Sequence, residues 1–317
     1  MQTRFISKGF DKSRKMITAI SLVTLLGAAS ITLFSERVFA SDGLGESDGL
    51  ANDMKRLKWD AGDSMKNSEQ DDASQAAEQK TSINGMVKVE PSAQKIMPGL
   101  KVFYGVLRGA DNSGSNAESV RATQEVFSRE CDDGKKRWSP IEPSKIPEIA
   151  AWGKRFKQFP NPKKSVASID SLIRRVRSGK YPPSISPFVD LYNAMSIKYG
   201  VPMGGEDLKK MTPLKTSTMV VKAADGTEPY KGLGADAPDE FPLPQELIYA
   251  DGGGTICRAL NWRESARTCI DKTTTDAVFV IEAIGDEESA RAKAAMDELG
   301  KLLVSNCGGN FEVSTAE

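Results

Sequence analysis

Asp251-Gly252-Gly253-Gly254 constrains this chain more than any other short stretch. Three successive glycines admit the positive-φ backbone that a tight hairpin requires. Glu246 to Ala250 leads into them as a strand, so the flanking segments pair antiparallel. Beyond the turn, Cys257 to Thr268 crowds Arg258, Asn261, Trp262, Arg263, Glu264, Arg267 and Thr268 together. A strand alternates its faces, so about half of these side chains point inward. Buried polar groups need partners, and the stretch is therefore either a satisfied polar network or a site.

The wider chain is mixed. Leu100 to Leu107 reads as a strand, and Asn116 can cap a helix that runs to about Cys131, with Val120, Thr123, Val126 and Phe127 on one face. A helix follows Pro143 and is broken at Pro160-Asn161-Pro162. Ile169, Leu172, Ile173 and Val176 fall at helical spacing. Ser186-Pro187 opens another helix, a capping residue followed by proline at the first turn. Thr216 to Val221 is a strand, and Ala277 to Ile281 is apolar enough for a strand buried on both faces. Asp286-Glu287-Glu288 starts a last helix with acids at its positive end, and Gly308-Gly309 ends it. Strand hairpins mixed with helices in this order predict an α+β fold rather than a doubly wound parallel sheet.

The chain has 317 residues, formal net charge +0 and no histidine. Zero net charge gives no global field for nucleic acid. The missing histidine excludes a Ser-His-Asp triad, a Cys-His dyad and any histidine-based zinc site. Cys131, Cys257, Cys269 and Cys307 contain no Cys-x-x-Cys pair, so they are buried thiols or, in an exported chain, one or two disulfides.

Lys8, Lys12, Arg14 and Lys15 precede an apolar run from Met16 to Phe34, and Val38-Phe39-Ala40 fits a signal cleavage site. Residues 1–40 are therefore expected to be a signal peptide or an uncleaved anchor, with export to the periplasm or medium if it is used. Residues 41–85 are rich in Asp, Ser, Gly, Gln and Glu and read as a disordered linker. A translation start near Met86 would leave the chain cytoplasmic; the globule is expected over 86–312.

Two further features bear on function. Lys154, Arg155, Lys157, Lys163, Lys164, Arg174, Arg175, Arg177 and Lys180 surround a single acid, Asp170. This is either a solvated basic face or a patch that contacts phosphate. Gly204-Gly205-Glu206-Asp207 is a turn carrying two acids, read as a site loop or as plain turn chemistry.

Several ordered stretches between Met86 and Asn310 resemble one family. They are Ile149-Ala150-Ala151-Trp152, Ser168 through Arg177, Val189-Asp190-Leu191-Tyr192-Asn193, Gly204-Gly205-Glu206-Asp207, Leu233-Gly234, Glu246 through Asp251, and Cys257-Arg258 with Asn261-Trp262-Arg263-Glu264-Ser265 and Thr268. Together they resemble the B3/B4 domain, the editing module of the phenylalanyl-tRNA synthetase beta subunit, and its free-standing relatives. The resemblance implies an α+β domain that binds the acylated 3′ end of tRNA, not DNA, and hydrolyses a wrongly attached amino acid in trans.

An aminoacyl ester is already activated, so such a site needs only to position water, hold the amino group and stabilise the oxyanion. On the matching motifs, Asn261, Glu206, Asp190 and Glu264 are the candidates for catalysis. Asn193, Gly204, Gly205, Arg258, Arg263 and Thr268 are candidates for substrate binding, and Arg174, Arg175 and Arg177 for RNA. No metal or cofactor is called for, and no stable membrane span once the signal is cleaved. The alternative is an exported protein that binds a free amino acid, or a similar small molecule, in the same pocket.

Overall fold

A computed structural model describes residues 82–160, 165–234, 236 and 238–317, all within one compact unit. The expected signal segment, and the expected linker up to residue 81, lie outside the described residues. Ile83, near the end of that linker, is buried, and its carbonyl accepts the Tyr104 hydroxyl at 2.9 Å. Ordered packing therefore begins before Met86.

In chain order the elements are Val87–Val89 (β1), Pro91–Ile96 (α1), Leu100–Arg108 (β2), Ala117–Trp138 (α2), Pro147–Phe156 (α3), Ser168–Arg177 (α4), Pro187–Tyr199 (α5), Gly204–Asp207 (β3), Met219–Ala223 (β4), Tyr230–Lys231 (β5), Asp239–Glu240 (β6), Leu247–Asp251 (β7), Gly254–Arg258 (β8), Arg263–Glu264 (β9), Ala277–Ile284 (β10), Asp286–Cys307 (α6) and Asn310–Ala316 (β11). Among the described residues this is a mixed α+β fold in which β1 and β4 form the one parallel pair.

Local chemistry sets most helix ends. Asn116 Oδ1 accepts the backbone N–H of Glu118 at 3.0 Å and of Ser119 at 3.1 Å, which fixes the start of α2. That helix runs past its expected end at Cys131 to Trp138, with Lys135, Lys136 and Arg137 at its negative end. Pro187 opens α5, but Ser186 makes no side-chain capping bond. Asp190 turns back instead, accepting the Ile185 N–H at 2.9 Å and the Ser184 hydroxyl at 2.5 Å.

Two sheets organise the core. One runs β1-β4-β7-β8-β9 and the other β11-β2-β10-β3, with β5 and β6 paired apart. The Gly-Gly-Glu-Asp stretch is a strand rather than a turn: Glu206 pairs with Val278 and Gly204 with Val280 on β10. Helix α6 packs on β2, β10 and β11, and α5 packs between α2 and α6. Phe311 sits against Gly105 of β2 and Gly300 of α6, where a side chain on either glycine would collide with its ring. The absent side chains thus let strand and helix close on one aromatic.

All four cysteines are free thiols. Burial pushes Cys131 to about 12 and Cys307 to about 11. Among the described residues no helix is long and apolar enough to cross a membrane.

Candidate functional site

The two sheets turn acids toward each other. Tyr249, Cys257 and Glu264 lie in one row across β7, β8 and β9, and residues in a row share a face. On the other sheet Glu206 is in register with Val278, and Val280 and Glu282 follow at strand period. A cavity of about 640 Å³ lies between these faces, with Ser168, Leu172 and Arg175 of α4 and Tyr192 and Asn193 of α5 completing the wall. Gly204 holds it open, since a Cβ there would meet nothing within 4 Å. Gly205 faces the opposite way, where a Cβ would press on Ile270 and Phe279 at 2.9 Å.

Three glutamates line this space. Glu206 is 4 % exposed, and its Oε2 is buried without a hydrogen-bond partner among the described residues. Burial, reinforced by the charge of Glu264, holds the Glu206 carboxyl well above the usual range. Protonated, Glu206 donates to Glu264, whose own value burial also raises. The two act as one proton-sharing pair. Glu282 accepts the Tyr249 hydroxyl at 2.6 Å and Asn261 Nδ2 at 2.9 Å, yet burial outweighs both bonds and raises it too. Cys257 beside them is pushed far up by burial and the three carboxyls, so it stays a thiol. Among the described residues no group of three or more Cys, Asp or Glu has the arrangement of a metal site.

Asn261 is held in place by a strained turn. Ala259 and Leu260 take φ of 43° and 63°, the left-handed region that disfavours side chains. Glu246 Oε1 accepts the Ala259 N–H at 3.0 Å, and Leu247 O accepts the Leu260 N–H at 2.7 Å. The turn delivers Asn261 to the cavity wall, where its Oδ1 accepts the Ser168 N–H at 3.3 Å at the start of α4. One hydrogen of its amide nitrogen goes to Glu282; the other has no partner among the described residues. The Asn193 amide and the Tyr192 hydroxyl also make no hydrogen bond to a described residue.

The sequence-derived candidates separate accordingly. Glu206, Glu264, Asn193, Asn261, Gly204, Gly205, Arg263 and Arg175 line the cavity. Asp190 does not, being occupied by Ser184 and Ile185. Thr268 is fully buried beside Glu206, behind the wall. Arg258 is buried in ion pairs with Glu246 at 2.9 Å and Glu240 at 2.6 Å, and it faces a neighbouring pocket. Arg174 is paired with Asp170, while Arg177 bonds the Ile141 carbonyl at 2.9 Å. Arg175 makes no ion pair with any described residue and stands exposed at the cavity mouth.

Three residues of the wall, Glu282, Tyr249 and Tyr192, are not among the candidates drawn from sequence. A signal for Glu282 existed: it is a lone acid in an otherwise apolar strand, where an unpaired charge is costly.

The sequence model of the B3/4 domain family matches residues 156–307. Fourteen chains of solved structures also match. One is an N-terminal fragment of the phenylalanyl-tRNA synthetase beta-subunit from Pyrococcus horikoshii, with TM-score 0.39 and 12 % identity over 72 % of this chain and 50 % of that one. This chain thus spans half the length of that fragment. No curated protein matches the chain.

Proposed function

We propose, from the match of the B3/4 domain family model to residues 156–307, that the chain binds the aminoacylated 3′ end of tRNA and hydrolyses a wrongly attached amino acid ester in trans. The observation that carries the reading is the proton-sharing pair Glu206 and Glu264 in a cavity whose mouth holds Arg175, an arginine with no ion pair among the described residues. An aminoacyl end is cationic at its α-ammonium and anionic at its phosphate, which matches acids within and a guanidinium outside.

Arrival of the ammonium favours ionisation of the pair, and the shared proton leaves. One carboxylate then holds the ammonium, and the other, Glu206, takes a proton from water as the water oxygen attacks the ester carbonyl carbon. The free amide hydrogen of Asn261 and the Asn193 amide stabilise the resulting oxyanion. The carbon–oxygen bond to ribose breaks, and Glu206 returns its proton to the ribose oxygen. Free amino acid and uncharged tRNA result. No step requires histidine, of which the chain has 0.

The test is a panel of aminoacyl-tRNAs, with non-protein amino acids included, incubated with the purified protein. The proposal expects at least one ester to be cleaved faster than it hydrolyses spontaneously. If none is, while a free amino acid binds and raises the melting temperature, the pocket is that of a binding protein and the hydrolase reading is lost.

A further inference from the structure

A second pocket of about 440 Å³ lies beside the first and shares two of its residues, Trp262 and Arg263. Phe159, Phe241 and Leu243 form its apolar wall. Phe241 is 56 % exposed, which is unusual for a phenylalanine with a pocket beside it. Among the described residues seven large apolar side chains are exposed, and Leu233, Phe241 and Leu243 are at the rims of these two pockets. Val166, also exposed, lies in sequence between Ser165 of the second pocket and Ser168 of the first. Exposed apolar groups concentrated at one place mark a surface that something covers.

The chemistry of the second pocket selects what covers it. Its acids are neutralised: Glu240 binds Arg258 at 2.6 Å and Arg263 at 3.2 Å, and Glu246 binds Arg258 at 2.9 Å. The guanidinium groups of Arg258 and Arg263 lie 5.8 and 5.9 Å from the Trp262 ring centroid. Flat aromatic and guanidinium surfaces, next to a first cavity lined by Arg175, which makes no ion pair with a described residue, are the elements that hold unpaired nucleotides: planes for bases and a charge for phosphate. A protein partner would use the apolar rim but leaves unexplained an exposed Arg175 that has no ion pair among the described residues.

We propose that this second pocket is a nucleobase subsite, in which an unpaired base near the RNA 3′ end stacks on Phe241 and Trp262 while the terminal acyl group occupies the first cavity. The subsite rests on the function proposed above. It gives the domain a hold on the polynucleotide that does not depend on which amino acid is attached.

The test uses the full chain and a fluorescein-labelled single-stranded ACCA ribonucleotide, read by anisotropy at several salt concentrations. Phe241→Ala should weaken binding about tenfold, the order expected for one base–aromatic stack. Phe241→Tyr, which keeps a stacking ring, should bind within about twofold of the wild type. Oligonucleotides made abasic at one position at a time should include one that binds as weakly as Phe241→Ala binds the intact probe, and Phe241→Ala should then lose nothing more. Equal melting temperatures for the variants establish that the fold is intact. If the wild type binds the probe but Phe241→Ala binds equally well, the subsite is rejected and the parent reading survives. If the wild type binds neither the probe nor tRNA at any salt concentration, the parent reading itself is rejected.

Discussion

Glu206 is a carboxyl kept where a carboxylate is poorly solvated, and this has a consequence for stability. Its folded pKa lies above the unfolded value of about 4.3. Between those two values the folded state binds more protons than the unfolded state, so rising pH weakens the fold. Glu264 and Glu282 act in the same direction. Glu206→Gln removes the ionisation and keeps a neutral donor toward Glu264. At pH 7 the variant should melt about 3 °C above the wild type, the shift for roughly 1 kcal/mol in a domain of this size. At pH 4, where both states are largely protonated, the difference should shrink. A variant that melts below the wild type at pH 7 would show that the charged form is stabilising.

Arg258 gives the opposite case. Truncating it to Ala leaves Glu246 and Glu240 without their shared cation, and breaking a buried pair costs about 3–5 kcal/mol. Thermal unfolding should fall by about 10 °C. Replacing Arg258 and Glu246 together by Leu should recover only part, because Glu246 also accepts the Ala259 N–H and anchors the strained turn. Full recovery would mean the turn does not need that anchor. The motif that contains Arg258 was legible in the sequence, but its partner lies twelve residues away across the hairpin, and no local pattern reveals that pairing.

At the scale of elements, helices were read well because their apolar spacing and end residues are local. Asn116 caps α2 as its position predicted, and the Ile169–Val176 stripe is buried except for the half-buried Leu172. The Gly204–Asp207 strand was not legible, because two glycines and two acids look like a turn until β10 supplies its partner. The basic helix α4 needs the same distinction among its arginines. Arg177 serves the chain leaving α2, and Arg174 serves its own helix, whereas Arg175 has no ion pair among the described residues. Arg175→Glu should weaken tRNA binding and flatten its salt dependence, whereas Arg177→Ala should lower stability with little effect on binding. Equal loss of binding in both variants would return the segment to a diffuse basic face. At the junction of β2 and α6, Gly300→Ala should destabilise by about 1–3 kcal/mol through overpacking against Phe311, and Phe311→Leu in the same chain should recover part of it. If the double variant is no more stable than Gly300→Ala alone, the strain lies elsewhere.

For the whole molecule, the α+β class followed from the order of hairpins and helices, while the cavity did not follow from any one segment. It needs Glu206 from one sheet, Glu264 from the other, and Asn261 from a turn whose left-handed residues are not glycines. Distances of that kind are tertiary, so sequence supplied the candidates and the fold sorted them. Asp190, Thr268 and Arg258 became supports, and Glu282 and Tyr249 joined the wall. The central claim is that this convergence of acids and amides performs ester hydrolysis. The most direct measurement is the single-turnover rate on the ester that the wild type cleaves best, compared with Glu206→Gln and Asn261→Ala. Removal of the base or of an oxyanion donor should each lower the rate about 10²-fold or more, with circular dichroism unchanged. Both variants cleaving at the wild-type rate would contradict the assignment of this cavity as the reaction centre.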